Sequence, residues 1–451
     1  MLLGIIGVGM EKLGGALEET AAILSSERSE EAARVPAKSN GIANRLDVKD
    51  KPFHDWYRFV LSYPPHLVRD YFTKFQLQKG QRVLDPFCGT GTTVVEAKLR
   101  GYEGIGIEAN PMAWLAGHVK STWNIDPTAF RLDIERCADE ARRKIIRARK
   151  LRTLPDEQFA LLLTDSICPV PLHKSLILRE AIEEFVRPEF QNHARLALAK
   201  TLVFSASNLH FGPEVGVRGR KEDADVVGSW LDNVQIIASD LEGKAGKRSP
   251  MSQVHLADSR DVGTLLKPRS IDAVFTSPPY PNEKDYTRTT RLESVILDLV
   301  QDKSSLRDLK KGLLRSNTRG VYKADTDDSW VANNANVQAI AEQIERRRIE
   351  LNKDSGFERL YARVTKLYFG GMARHFAELR PFLKPGAMLG YVVGDQASYL
   401  QVMIRTGTLL GEIADGLGYE FVGLDLFRTR LATATKAQMR EEILLLRWKG
   451  F

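Results

Sequence analysis

The sequence predicts an α/β fold: a largely parallel sheet wound with helices and interrupted by a largely helical insertion. Three observations predict it. Residues 82–119, "RVLDPFCGTGTTVVEAKLRGYEGIGIEANPMAWLAGHV", alternate short apolar runs with helix-periodic segments, the grammar of strand–turn–helix units. Strand-like runs return at "MSQVHLADSRDVG", "SIDAVFTSPPY" and "LKPGAMLGYVVGD". Between them, "DIERCADEARRKIIRARKLRTL" and its neighbours carry helical rather than alternating periodicity.

Taken in order, residues 1–50 read as a poorly ordered leader or a weakly docked helix, charged, rich in small residues and ending near Pro52. Its opening "MLLGIIGVGM" is shorter than the ~20 residues a membrane span needs. Its spaced glycines follow no strand, so they predict no nucleotide loop. Residues 51–125 form the first half of the sheet domain. There Leu67, Tyr71, Phe72 and Phe75 fall at helical spacing after Pro64 and Pro65, which start a helix. Residues 126–250 are the mainly helical insertion, and 251–300 resume the sheet. Residues 301–375 read as a second, basic helical insertion. Residues 376–451 close the sheet, ending on a pair of strands, "YEFVGLDLFRTR" and "REEILLLRWKG".

Lys and Arg number 65 against 58 Asp and Glu in 451 residues, a net charge of +7 that favours a polyanionic partner. Cys88, Cys137 and Cys168 lie far apart with no C-x-x-C spacing. That pattern supports neither a disulfide framework nor a thiolate metal site, and it fits a reducing cytoplasm. His54, His66 and His210 have no ligand spacing, so we expect structural roles for them and no metal.

Asp85 ends the strand "RVLD" and is followed by Pro86-Phe87-Cys88-Gly89-Thr90-Gly91 and a helix, so Gly89 and Gly91 allow a ligand close to converging amides. Glu108 ends the next strand about 20 residues on, where an acidic side chain reaches ribose hydroxyls. Asp85 as a turn former and Glu108 as a helix cap would explain each residue singly, but not the ordered pair. Neither a phosphate loop nor a complete dinucleotide pattern is present, since no Lys follows Gly91 and position 94 is valine. An acidic residue ahead of the glycines disfavours pyrophosphate. It welcomes a nucleoside carrying an ammonium and a sulfonium, as S-adenosylmethionine does.

"TSPPY" is the second constellation. Pro278 and Pro279 fix φ and carry no N–H, so a stiff corner presents carbonyls, with the Ser277 hydroxyl and the Tyr280 ring beside them. A surface proline turn is the plain alternative, but the corner follows an apolar strand downstream of the glycine turn.

"VLDPFCGTGTT", "GIEANPMA", "LADSR" and "FTSPPY" together resemble the S-adenosylmethionine-dependent amino-methyltransferases of DNA, the modification methylases of TSPPY type acting on N4 of cytosine or N6 of adenine. The resemblance covers roughly half the chain. It implies a Rossmann-like class I methyltransferase sheet and double-stranded DNA as substrate. Asp85, Phe87, Gly89 and Gly91 would line the cofactor, Glu108 would hold its ribose, and Asp258 would meet its adenine amino group. The segment "FVLSYPPHLVRDYF" is similar to the family's motif at the methionine end.

Ser277, Pro278, Pro279 and Tyr280 would be catalytic, and a serine at this position is associated with cytosine N4. Ser277 Oγ and the Pro278 carbonyl would accept the amino protons, while Tyr280 would stack on an extruded base. A cognate restriction nuclease is the expected companion of such an enzyme. In many relatives with this style of glycine motif the catalytic corner comes first; here the cofactor motif does, which leaves the target-recognition element open between the two insertions.

Lys310, Lys311, Arg315 and Arg319, in "DLKKGLLRSNTRGVYK", are the candidate phosphate contacts. "RRKIIRARKLR" reads more readily as a solvated helix face, and "SNLHFGPEVGVRGRK" as a glycine-flexed loop at a groove or a plain surface loop. Transfer to adenine N6, to guanine N2 of tRNA, or a non-catalytic nucleic-acid-binding role are the competing readings. The short leader has no room for the RNA-binding domain that the tRNA enzymes usually carry.

Overall fold

Seven strands form one sheet: β1 (Arg82–Asp85), β2 (Glu103–Glu108), β3 (Ser252–Leu256), β4 (Ile271–Thr276), β5 (Leu383–Gly394), β6 (Tyr419–Leu431) and β7 (Gln438–Trp448). This computed structural model describes residues 46–450 apart from 59–61, 213, 245–248, 283 and 432–437. Nearly all of the leader, and Phe59 to Leu61 of the methionine-end motif, lie outside the described residues.

The strand order is 3-2-1-4-5-7-6. Neighbours are parallel from β3 to β5. β7 runs antiparallel to both β5 and β6. This is the Rossmann-like order of class I methyltransferases. The chain winds outward through β1, β2 and β3, then restarts at β4 beside β1, so the carboxyl ends of β1 and β4 abut where the winding reverses. Open α/β sheets place their ligand cleft at that reversal.

The helices follow their sequence signals. Pro65 opens α1 (Pro65–Lys74), which buries Leu67, Val68, Tyr71 and Phe72. Gly91 is left-handed, with φ of 84°, and starts α2 (Thr92–Arg100). The Asn110 side chain caps α3 (Pro111–Ser121) by accepting from the Met112 and Ala113 amides.

The 126–250 segment supplies α4 (Pro127–Arg147), α5 (Pro169–Phe185), α6 (Pro188–Thr201) and α7 (Val226–Glu242). Phe130, Ile134, Leu178, Leu198, Trp230 and Ile237 make a core of their own that continues onto Leu115 and Val119 of α3. The glycine-rich stretch after α6 is no plain loop: Leu209–Phe211 and Val215–Val217 pair as a short antiparallel hairpin.

The second insertion is shorter than its charge pattern predicts. After α8 (Lys303–Lys311) and α9 (Ala335–Glu350), α10 (Tyr361–Leu379) is sheet-packing core, with Val364, Tyr368, Met372 and Phe376 buried against β5 residues such as Leu389 and Tyr391. Gly370 permits this packing. A Cβ there would stand 1.9 Å from the Asp327 carbonyl oxygen, so the 327–331 turn lies directly on the helix. The last helix, α11 (Thr406–Gly416), precedes the terminal strand pair, which forms as expected.

Candidate active site

A cleft of about 520 Å³ opens over the carboxyl ends of β1, β2 and β4. On one side it is lined by Phe87, Gly89 and Glu108, and on the other by Ser277, Pro278, Pro279 and Tyr280, so the two constellations read from sequence share one space.

On the first side the Glu108 carboxylate organises the turn. Its two oxygens accept from the Gly89 amide at 2.8 Å and the Asn110 amide at 2.7 Å. Burial pushes the Glu108 carboxyl up to about 7 against those amide bonds, and the charge of Asp85 adds to the rise. Gly89 has φ of 49°, and a Cβ there would meet no atom within 4 Å, so the glycine keeps ligand space open.

Gly91 does something else. A Cβ on it would come within 2.8 Å of the Gly117 Cα, which places this glycine at the α2–α3 contact and not on the cleft.

Asp85 is fully buried and does not line the cleft. It accepts from Thr276 Oγ1 at 2.6 Å, from the Tyr63 hydroxyl at 2.8 Å and from the Phe87 amide at 3.3 Å. Burial pushes its carboxyl up to about 6, with these donors opposing. Asp258 is also engaged within the protein. Arg260 donates to both of its oxygens while reaching Asp327 with its other arm, and the neighbours Ala257 and Ser259 are the residues that line the cleft.

On the side of the proline corner Ser277 Oγ donates to the Val392 carbonyl at 3.2 Å. The Tyr280 hydroxyl donates to Glu441 Oε1 at 2.7 Å. Burial, then the adjoining Glu441 charge, raises the Tyr280 phenol far above its ordinary range, so it stays protonated. Glu441 is in turn ion-paired with Arg428. Neither residue was singled out from sequence.

The signal was the antiparallel direction of β7, whose first residues return to the edge that carries the proline corner. Gly394, Glu441 and Arg428 sit in register across β5, β7 and β6. Gly394 packs so closely on Tyr280 that a Cβ there would lie 2.9 Å from the ring. Tyr63 was equally unread, although it lies in the "SYPP" stretch.

The four predicted phosphate contacts divide. Arg315 is a correction: it is buried, and its guanidinium is spent on Asp325 and on the carbonyls of Lys310, Lys311 and Leu313. No N–H remains for a phosphate. Lys310 pairs with Asp285 at 2.8 Å inside the cleft wall. There burial opposes ionisation of Asp285, but Lys310, Thr287 and Arg291 together hold the carboxyl below its usual value. Lys311, paired with Asp308, and Arg319, over the Phe357 ring, are exposed. His54 is a structural histidine, buried 3.0 Å from Glu96. Among the described residues, no group of His, Cys, Asp or Glu is arranged to hold a metal, and no helix is long and apolar enough to cross a membrane.

The strand order is that of class I methyltransferases, and the glycine turn and the carboxylate at the second strand end stand at the cleft such a sheet forms. The DNA methylase family model matches residues 44–114. The chain is 25% identical over 439 residues to the Type II methyltransferase M.BsoBI of Geobacillus stearothermophilus, covering 86% of this chain and 82% of that protein. It is 23% identical over 401 residues to M.AvaI of Anabaena variabilis, covering 82% and 80%. Among solved structures, TrmN from Thermus thermophilus aligns over 88% of this chain and 52% of its own, at 12% identity and a TM-score of 0.27, too distant to add to the argument. The chain matches the DNA amino-methyltransferases of Type II modification systems, whose cofactor is S-adenosylmethionine.

The residues present fit that cofactor. The space before Gly89 admits a ligand at the backbone. Glu108 offers remaining lone pairs to a vicinal diol, and among the described residues no cation pairs with Asp85 or Glu108, which suits a positively charged ligand.

Proposed function

We propose that this protein methylates the exocyclic N4 of a cytosine flipped out of double-stranded DNA, within a modification system whose companion nuclease cuts unmethylated copies of the same sequence. The observation that carries the reading is Ser277 Oγ. It lines the cleft and lies beside the Val392 carbonyl and the Tyr280 hydroxyl, and a hydroxyl oxygen with two lone pairs can still accept an amino proton there.

An aromatic amino group is a poor nucleophile because its lone pair is delocalised into the ring. Ser277 Oγ and the Pro278 carbonyl would take its two protons in hydrogen bonds and favour localising the lone pair on nitrogen. The prolines hold both acceptors still, and Tyr280, tied by its hydroxyl to Glu441, gives the base a ring to rest on. When bound, S-adenosylmethionine would supply an electrophilic methyl group on sulfur, whose loss would leave a neutral thioether. The nitrogen then sheds one proton to water, since a serine hydroxyl is no base at neutral pH. Phe87, Gly89 and Glu108 are the proposed cofactor contacts, with Asp85, Gly91 and Asp258 supporting them from behind.

The test is to incubate protein, S-adenosylmethionine and unmethylated DNA, digest to nucleosides and weigh the product. N4-methylcytosine is expected; N6-methyladenine would overturn the base assignment, and product on tRNA but not on DNA would overturn the substrate. Ser277→Ala should lower kcat by roughly 100-fold, the scale of losing one preorganised hydrogen bond to the reacting group, with cofactor affinity unchanged.

A further inference from the structure

The residues that fix the Tyr280 phenol also supply a means of choosing the base. Arg428 and Glu441 line the same cleft as Ser277 and Tyr280, although they come from the last two strands, about 150 residues further along the chain. Glu441 uses one oxygen for the Tyr280 hydroxyl and the other for Arg428 Nε. This leaves the two terminal amino groups of the Arg428 guanidinium with no hydrogen bond to the described residues, on a side chain three-quarters buried at 25% exposure. A planar fork held by its Nε and free at its tips is a rigid pair of donors.

Cytosine and adenine differ in what lies beside the amino group. Reading away from the amino nitrogen, cytosine presents two successive acceptors, N3 and O2. Adenine presents one acceptor, N1, and then a carbon-bound hydrogen. A fork with two free donors matches the cytosine edge and would leave one donor unpaired against adenine, and an unpaired buried donor is costly.

We propose that Arg428, oriented by Glu441, donates to the N3 and O2 acceptors of the flipped cytosine, and so discriminates it from adenine while Ser277 and Pro278 hold the amino group. The inference rests on the cytosine reading above and adds a specificity-determining residue outside the proline corner. It also gives Glu441 two tasks in one carboxylate, setting the plane of the fork and the position of the Tyr280 ring.

The experiment begins by mapping the modified cytosine made by the wild-type enzyme. Duplexes are then compared in which that base is cytosine or 3-deazacytosine, which carries a C–H in place of N3. Wild type should lose about 10- to 100-fold in kcat/KM on the analogue, the range of a good bidentate contact to a base edge. Arg428→Met should lose a similar factor on cytosine and no more than about twofold further on the analogue, because the contact is already gone.

A purely structural role for Arg428 would instead make the two losses multiply, and that result, or full activity of Arg428→Met on cytosine, would overturn the proposal. Unchanged S-adenosylmethionine affinity checks that the variant's site is intact. Should it fail to fold, Arg428→Lys, which keeps a cation for Glu441 but has no fork, carries the same comparison. N6-methyladenine as the wild-type product would overturn the cytosine reading and this inference together; N4-methylcytosine with multiplied losses would overturn this inference alone.

Discussion

The two glycines of "CGTG" should respond in opposite ways to the same added methyl group. In Gly91→Ala the new Cβ would stand 2.8 Å from the Gly117 Cα and 3.5 Å from its carbonyl oxygen, backbone atoms that cannot yield unless α3 shifts on α2. Overpacking of this kind costs about 1–3 kcal/mol, and holding alanine at φ of 84° adds roughly 1–2 kcal/mol. A loss of about 2–5 kcal/mol follows, a large share of the stability of an ordinary domain. In Gly89→Ala only the backbone term applies, since nothing lies within 4 Å of the new atom. Its methyl group occupies ligand space, so S-adenosylmethionine binding should weaken by about tenfold or more, with roughly 1.4 kcal/mol for each decade. Urea unfolding midpoints and calorimetric titration of the cofactor separate the two effects. A Gly91→Ala protein with the wild-type midpoint and lost cofactor binding would refute the packing assignment.

Two further outcomes follow from buried charge. The Glu293 carboxyl, enclosed beside Tyr57, is pushed by burial from 4.5 up to about 7, against the Tyr57 hydrogen bond. A raised carboxyl pKa contributes stability that is present below 4.5 and lost as pH rises through about 7. Glu293→Gln, neutral throughout, should therefore gain about 2–3 kcal/mol on wild type between pH 5 and pH 8 in urea melts, and a pH-independent difference would count against it. Arg315→Ala strands the Asp325 carboxylate and should cost about 3–5 kcal/mol of stability, whereas Arg319→Ala should leave stability unchanged and, where Arg319 meets a phosphate, lower the salt slope of DNA binding by about 1. Equal stability for the two variants would refute the division between buried and exposed arginines.

The local grammar of the site was legible because it is written in neighbouring residues. Pro64-Pro65, "DPFCGTG" and "TSPPY" specify a helix start, a glycine turn and a rigid corner through backbone chemistry alone, and each stands where its strand or helix predicts. What was not legible depends on partners far away in sequence. A carboxylate reads alike whether it faces a ligand or an arginine two residues on, so Asp258 gave no sign of its pairing with Arg260 and, through it, Asp327. Arg315 looked like a phosphate contact because its five donors are spent on groups that sequence does not mark as acceptors, mostly carbonyls. Glu441 and Arg428 lay hidden in a terminal strand pair until the direction of β7 returned them to the catalytic edge.

The buried state of Asp85 alters what its motif is for. A residue predicted to meet the cofactor instead joins three pieces of chain that must agree for the cleft to exist. It takes a hydrogen bond from Tyr63 ahead of α1, one from the Phe87 amide in the glycine turn, and one from Thr276, the residue directly before Ser277. Thr276 Oγ1 donates to Asp85 and also accepts from the Phe87 amide at 3.2 Å, which closes the triangle. The spacing between the cofactor turn and the serine is thereby set through hydrogen bonds across 191 positions of sequence. For in-line transfer, where a misplacement of about 1 Å can cost 100-fold, that spacing is the quantity to be held. An aspartate at the end of β1 and a threonine at the end of β4 then belong to one device. Neither motif alone fixes that spacing.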